Sequence, residues 1–240
     1  MFNGLKSTLR KIGVKMGLIK KLENVADHAK VGITNEFYDR IIEWRSLHRG
    51  YHKGFHDIEY HTVEGCKKRR MATLNMPKMV SQELATLIFN ERCRVSVSDD
   101  TLNEFIQDVI DRDGFNGNFQ QYLEFMFAYG GLVIKPFIEN NEIKLQYVTA
   151  DSFLPVGWTN SRITEGVFVA EIVKGGKTYT HLEWHTFEND LYSIKNELFE
   201  SVTGVDLGTK VPLNTIFDNL EPLVLMQNVK APLFAYFKPN

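Results

Sequence analysis

The stretch YGGLVIKPFIENNEIKLQYV, residues 129–148, marks the point where the hydrophobic pattern of this 240-residue chain changes its period. Before the paired glycines, apolar residues recur every three or four positions, which is typical of helices. After them, two runs rich in β-branched and aromatic residues flank Asn140-Asn141, which favours a tight turn. The stretch therefore predicts a helix, residues 118–131, that ends at Gly130-Gly131 and is followed by an antiparallel hairpin.

Further helices are predicted upstream of this point. One is capped by Thr34 or Asn35 and ends near Gly50, and another begins near Pro77 and runs through Ile88. The first of these has a predicted buried stripe made of Phe37, Ile41, Trp44 and Leu47 or His48.

A short strand and a fourth helix are predicted between residues 94 and 114. RVSVSDD, residues 94–100, alternates in polarity as a strand does. In the sequence that follows, Thr101 and Glu104 have the spacing of a capping box, which predicts a helix start there.

Downstream of the hairpin, the runs EGVFVAEIV, KTYTHLEWHTF and DLYSIKNELF read as strands joined by KGG and END turns. The turn-rich segment VTGVDLGTKVPLNT, residues 202–215, is expected to be a surface loop. The expected fold class is α+β, with N-terminal helices followed by antiparallel β-hairpins. We expect a basic arm at residues 1–30 and one domain at 31–240. That domain should be helical at 31–130 and β-rich at 131–200, with a loop and C-terminal segment at 201–240.

The N-terminal arm has the pattern of an amphipathic helix. Its apolar seam recurs every three or four residues and consists of Phe2, Leu5, Leu9, Ile12, Met16 and Ile19. The arm lacks the continuous apolar core of a signal peptide, and no apolar run of the chain approaches the ~20 residues of a membrane span. It would lie on a membrane surface, dock on a partner, or pack on its own fold or oligomer.

Charge is distributed unevenly along the chain. Residues 1–70 carry 15 Lys and Arg against 8 Asp and Glu, a net +7, whereas residues 71–240 carry 13 against 22, a net −9. A basic segment on an acidic body suggests nucleic acid, an anionic surface or an acidic neighbouring subunit as partner. The two cysteines, Cys66 and Cys93, form neither a disulfide framework nor a zinc-knuckle spacing.

Four consecutive cations are the candidate nucleic-acid contacts: Lys67, Lys68, Arg69 and Arg70. Each would neutralise a phosphate and add salt-sensitive, sequence-independent affinity. The alternative is a solvated charge run or one paired with an acidic neighbour. Three nearby aromatic residues would either stack on bases or belong to the core, namely Tyr51, Phe55 and Tyr60.

His181, Glu183 and His185 would share one face of a strand and so are candidate metal ligands. The interpretation that we favour is the solvated outer face of an amphipathic strand. The chain also lacks the phosphate-binding loop, the dinucleotide fingerprint and the nucleophile elbow. The expectation is therefore a protein that is not an enzyme and uses neither a metal nor a cofactor.

The segment LNMPKMVSQELATLIFNERCRVSVSDD, residues 74–100, closely resembles the helix-to-strand segment of portal proteins of tailed bacteriophages, in the siphophage branch of Gram-positive hosts. The resemblance lies in Ala85, Leu87, Ile88, Asn90 and Glu91. The stretches at 129–158 and 166–187 and the closing PLFAYFKPN are also similar to family segments, so the resemblance spans essentially the whole chain.

This resemblance implies a structural, non-enzymatic role. Family members form dodecameric rings at one vertex of the capsid. They seed head assembly with scaffold and major capsid proteins, dock the terminase ATPase, pass double-stranded DNA non-specifically, and bind head-completion and connector proteins. The implied location is the virion, and the host cytoplasm during assembly, without a membrane.

The segments that match resemble the wing region of portal proteins. The resemblance implies that the stem helices, clip and crown are absent, so the isolated chain is expected to be monomeric or weakly associated. The alternative function is a basic-armed module that binds nucleic acid or a membrane surface.

Overall fold

A computed structural model describes residues 35–90, 93–188, 191–202 and 207–239. Within these ranges there are five helices and eleven strands. They are α1 (Asn35–His48), α2 (Lys53–His56), β1 (Asp57–Thr62), β2 (Gly65–Arg70), α3 (Met76–Ile88), α4 (Asp100–Arg112), α5 (Phe115–Tyr129), β3 (Leu132–Glu139), β4 (Glu142–Thr149), β5 (Phe153–Thr159), β6 (Arg162–Lys174), β7 (Lys177–Glu188), β8 (Leu191–Ser201), β9 (Thr209–Val211), β10 (Leu223–Met226) and β11 (Ala235–Phe237). All strand pairs are antiparallel, which confirms the predicted α+β class.

The described chain divides into two compact units, where the sequence predicts one domain over residues 31–240. We call them the helical unit, residues 40–151 and 234–239, and the sheet unit, residues 35–39 and 152–233. The predicted basic arm, residues 1–30, lies outside the described residues. No helix in the described ranges is long and apolar enough to cross a membrane.

The core of the helical unit forms where α3, α4 and α5 meet strand β3. Its buried residues are Ala85, Phe89, Ile110, Phe115, Leu123, Met126 and Leu132. Aromatic rings fill much of this core: Phe119 stacks on Phe115 at 4.9 Å and meets Phe89 edge to face, also at 4.9 Å. Such pairs contribute about 0.5–1.5 kcal/mol beyond their buried area.

The predicted stripe of α1 is only partly buried. Ile41 is fully buried and His48 nearly so, but Trp44 is 38% exposed. The His48 ring bonds to the carboxylate of Glu124 on α5, with 2.8 Å between Nε2 and Oε1. The chain leaves the helix at Gly50, whose φ of 73° confirms the predicted termination.

The turns around the opening stretch are as predicted. Gly130 has a φ of 81° and ends α5, and Asn140 and Asn141 have φ values of 52° and 62° in the β3–β4 turn. Gly131 serves close packing, because a Cβ atom there would lie 2.3 Å from the hydroxyl oxygen of Tyr236 on β11. The paired glycines therefore have two different roles.

Between residues 31 and 130, which the pattern predicts to be helical, the structure contains the hairpin β1–β2. By contrast, the strand predicted at 94–100 is absent, since residues 93–97 pair with no described strand. Side chains of α4 bind this segment instead: Gln107 donates to the Val95 carbonyl at 2.7 Å, and the Val97 N–H donates to Asn103 at 3.2 Å. These bonds replace a strand partner.

Helix α4 begins earlier than the predicted capping box. The cap is Asp99, whose carboxylate accepts from the Leu102 N–H at 2.8 Å. Both Asp99 and Thr101 are residue types that cap helices, so the sequence pattern does not choose between them.

The sheet unit contains a six-stranded sheet in the order β10-β8-β7-β6-β5, with β9 also paired to β8. The β6–β7 turn at Gly175-Gly176 has φ values of 61° and 78°, as a type I′ turn requires. Strands β9 and β10 lie beyond residue 200, where the sequence predicts a loop and a C-terminal segment. The predicted surface loop at 202–215 thus contributes a strand to the sheet.

A carboxylate on β8 holds β9 in place. Glu197 accepts hydrogen bonds from Lys210 on β9 at 2.8 Å and from Lys195 at 3.0 Å. Burial raises the pKa of Glu197, but these two lysines outweigh it, so its pKa lies below the ordinary value.

Candidate nucleic-acid interface

The four predicted cations lie on strand β2 of the hairpin β1–β2. All six residues of β2 are exposed. The strand pairs antiparallel with β1, so alternate residues point to opposite faces of the hairpin. The cluster is therefore divided between two faces and is not a single positive surface.

One face carries Lys68 and Arg70, and both lie opposite acids. Lys68 faces Glu59 and pairs with it, and this bond raises the pKa of Lys68 above its ordinary value. Arg70 faces Asp57 across the ladder. Lys68 is thus neutralised within its own hairpin, whereas Arg70 lies opposite Asp57 but forms no salt bridge among the described residues.

Arg70 has the contacts of a residue that anchors the hairpin. Its guanidinium donates to the Gly50 carbonyl at 3.1 Å and lies 4.4 Å from the centre of the Tyr51 ring. The Tyr51 hydroxyl in turn donates to Asp57 at 2.8 Å, a bond that raises the pKa of Tyr51. This arrangement connects the hairpin to the end of α1.

The opposite face carries Lys67 and Arg69 beside Tyr60 and Ile58. Lys67 pairs with Glu64 at the hairpin turn, and both side chains are exposed. Arg69 lies 5.8 Å from the centre of the Tyr60 ring and, within the described residues, forms no salt bridge. Of the four cations, Arg69 therefore has the charge most available to an anion.

A shallow groove beside the hairpin gathers some of these charges. It is lined by Lys53, Gly54, Asp57, Glu59, Lys68, Arg69 and Arg70, which amounts to four cations and two carboxylates. Residues 57–70 as a whole carry four cations and three acids. A net charge this small supports weak contacts with phosphates and no more.

The sequence contained a signal for this hairpin. Asp57, Glu59 and His61 alternate with Ile58, Tyr60 and Thr62, which is the period of a strand, and Gly65 in the turn has a φ of 117°. The cation run obscured this signal, because four like charges in succession do not suggest a strand.

The second candidate site of the sequence, on β7, is buried in the sheet unit. His181 and His185 are only 8% and 2% exposed, so the predicted solvated outer face was wrong. The physical reason is that both faces of this central strand are covered: Leu182, on the opposite face, is 2% exposed. Nothing in the alternating pattern of β7 alone shows this.

Protein groups already bind the ring nitrogens on this face. His185 is 2.6 Å from the Tyr192 hydroxyl through Nδ1 and 2.7 Å from Glu183 through Nε2. His181 bonds to Asn196 at 3.0 Å. Four positions along a strand also separate two residues by about 13 Å, too far for both histidines to share one metal.

Among the described residues, no three His, Cys, Asp or Glu side chains are grouped so as to hold a metal ion. The histidine network instead has the contacts of a buried polar core. Tyr192 completes it, since its hydroxyl also accepts from the Leu233 N–H at 3.0 Å.

Comparisons with known proteins place the chain in a family. No curated protein matches the sequence significantly. A family model described as phage portal protein, SPP1 Gp6-like, matches residues 27–236, which include nearly all of the described helices and strands. The match confirms the resemblance noted from residues 74–100, and portal proteins are a structural family without enzymatic function. The chain therefore belongs to the SPP1 Gp6-like phage portal protein family.

Proposed function

We propose that this chain forms the wing of a portal ring at one capsid vertex, through which double-stranded DNA is packaged and ejected. The observation that carries the proposal is the family match over residues 27–236. The partners are other portal subunits, the terminase ATPase, the major capsid and scaffold proteins, and the head-completion proteins. These partners follow from the portal role that the family supports.

Location at a vertex can be tested on particles of the phage that encodes the chain. Gold-labelled antibodies against the sheet unit should mark opened heads at a single vertex, the one that carries the tail. Label spread over the whole shell, or heads that contain none of the chain, would contradict the proposal. Antibodies against the major capsid protein serve as the control, because they should mark every face.

Packaging can be tested by genetic complementation. Phage that lack the gene should produce heads without DNA, and supplying the gene in trans should restore filled heads. Filled heads in the absence of the gene would show that DNA does not need this protein to enter.

We further propose that β2 contacts DNA phosphates without sequence preference, chiefly through Arg69. Three observations support this: β2 is exposed, Arg69 forms no salt bridge within the described residues, and Lys53 lines the same groove. Lys67 and Lys68 contribute less, because carboxylates already compensate them. Arg70 supports the hairpin.

A DNA titration at two salt concentrations tests this assignment. Arg69→Gln should weaken binding equally for all DNA sequences. The slope of log K against log salt concentration should become shallower by about 1, as expected for the loss of one phosphate contact. The matched control is Lys174→Gln, which removes one exposed charge from the sheet unit and should leave binding unchanged. Identical isotherms for wild type and Arg69→Gln would mean that the cations serve folding only. Tight, salt-insensitive and sequence-selective binding would favour a nucleic-acid-binding module instead.

A further inference from the structure

Helix α3 packs on its own unit through its smallest residues. Ser81 and Ala85 are its buried residues, and Ala85 belongs to the core cluster of the helical unit. The large apolar side chains are 39–82% exposed. Together with the preceding Leu74, they form what we call the outer face of α3: Leu74, Met76, Met79, Val80, Leu84, Leu87 and Ile88.

This exposure is opposite to what the helix composition predicts. The large apolar residues of α3 form one stripe, with Lys78, Gln82 and Thr86 on the other side, and such a stripe normally packs on the core of its own unit. Seven large side chains with this exposure present on the order of several hundred Å² of apolar surface, which is as much as the largest patch on a typical monomer. An exposed apolar patch of this size is typical of a surface that binds a partner.

The chemistry of the outer face excludes some partners. The helix carries one cation, Lys78, and one acid, Glu83, so it offers no charge for a polyanion such as DNA. Its size is comparable to the roughly 800 Å² per partner that a standard protein interface buries. Permanent oligomer interfaces are also the most apolar class, resembling a domain core cut in half.

We propose that a second copy of this chain covers the outer face of α3, which makes it a subunit interface of the portal oligomer. The proposal rests on the proposed function, because oligomeric assembly is what the portal family implies. A second copy of the chain is always present when the chain is synthesised, so it can cover an apolar surface that is unfavourable in water. In a closed ring every copy contributes such a face and covers that of a neighbour, so none remains open.

The test is self-association measured by sedimentation velocity over a range of concentrations. The triple variant Leu84→Gln, Leu87→Gln and Ile88→Gln should associate at least about 100-fold more weakly than wild type. The matched control replaces two exposed apolar residues elsewhere, Ile138→Gln with Val173→Gln, and should associate as wild type does. Circular dichroism should show all of these proteins folded, since the replaced side chains are exposed.

Cross-linking gives an independent measurement. Leu87→Cys, in a background with Cys66→Ser and Cys93→Ser and labelled with a benzophenone maleimide, should on irradiation be joined to a neighbouring chain by insertion into a nearby C–H bond, and the site on the neighbour can be read by mass spectrometry. Of the two states expected from the sequence, monomeric or weakly associated, the proposal requires association. A chain that remains monomeric at about 1 mM therefore overturns it.

The outcomes separate this proposal from the proposed function. If wild type and the triple variant assemble equally and Leu87→Cys does not cross-link, the outer face is not the interface, although the vertex location can still hold. If the cross-link forms but gold label is absent from the vertex, the interface stands and the portal location fails.

Discussion

Replacing Tyr192 by phenylalanine tests the buried network of the sheet unit. Tyr192 is fully buried, and its hydroxyl bonds to the His185 ring at 2.6 Å and to the Leu233 N–H at 3.0 Å. Burial raises the pKa of Tyr192 far above its usual value, so the phenol keeps its proton and can donate it to His185. Tyr192→Phe removes the oxygen and leaves the rest of the ring.

The expected cost follows from the two groups that lose their partner. A buried donor or acceptor without a partner costs about 1–3 kcal/mol, so two of them should lower the free energy of unfolding by roughly 2–4 kcal/mol after some relaxation. For a unit of this size, the melting temperature should fall by about 8 °C or more. Packing should change little, because the ring remains.

The matched control is Tyr179→Phe on the neighbouring strand β7. Tyr179 is 7% exposed, and its hydroxyl bonds to Glu200, a carboxylate that solvent can reach. Because water can replace this bond, the same chemical change should cost less than about 1 kcal/mol. Urea unfolding followed by circular dichroism provides both values. Equal costs for Tyr192→Phe and Tyr179→Phe would refute the view that the network is a buried, mutually satisfied unit.

Three further predictions concern stability. Glu197→Gln should lower the free energy of unfolding at neutral pH. Because the pKa of Glu197 is depressed in the folded state, the difference from wild type is fully present above the unfolded-state pKa of about 4.3. The difference is lost as pH falls through the lower folded-state pKa. A difference that grows towards acid pH would contradict this. Gly131→Ala should destabilise the helical unit by about 1–3 kcal/mol through its clash with a β11 tyrosine, whereas Gly117→Ala, in open space on α5, should stabilise it by about 0.5–1 kcal/mol. Thermal unfolding measures both, and a neutral Gly131→Ala would show that β11 moves freely. Asp99→Ala should lower the free energy of unfolding by about 1 kcal/mol, because it removes the cap of α4, whereas Thr101→Ala should lower it by less than about 0.5 kcal/mol. The reverse order would show that Thr101 is the cap, as the sequence pattern predicts.

Local features of this chain were predictable because nearby residues cause them. Gly130 ends α5, and Asn140-Asn141 and Gly175-Gly176 turn hairpins, since these residues tolerate the positive φ that each turn needs. The α+β class follows from the change of period at residue 131. The family was also recognisable from residues 74–100, because a family match compares sequence directly.

The candidate site was only half predictable. The cation run located residues 67–70, but not their hairpin or the different roles of Arg69 and Arg70. Arg70 is an anchor because the fold brings Gly50 and Tyr51 to it from about twenty residues away. A charge in a sequence does not show which acid or carbonyl lies opposite.

By itself, then, the sequence determined where α5 ends, where the β3–β4 and β6–β7 hairpins turn, and which family the chain belongs to. Only the tertiary structure decided which faces are covered: it buried His181 and His185 on β7 and left Leu87 exposed on α3. The physical reason is that backbone preferences act over a few neighbouring residues, whereas burial depends on which distant segments pack against each face. An alternating strand or an apolar helix is compatible with either outcome until those contacts form.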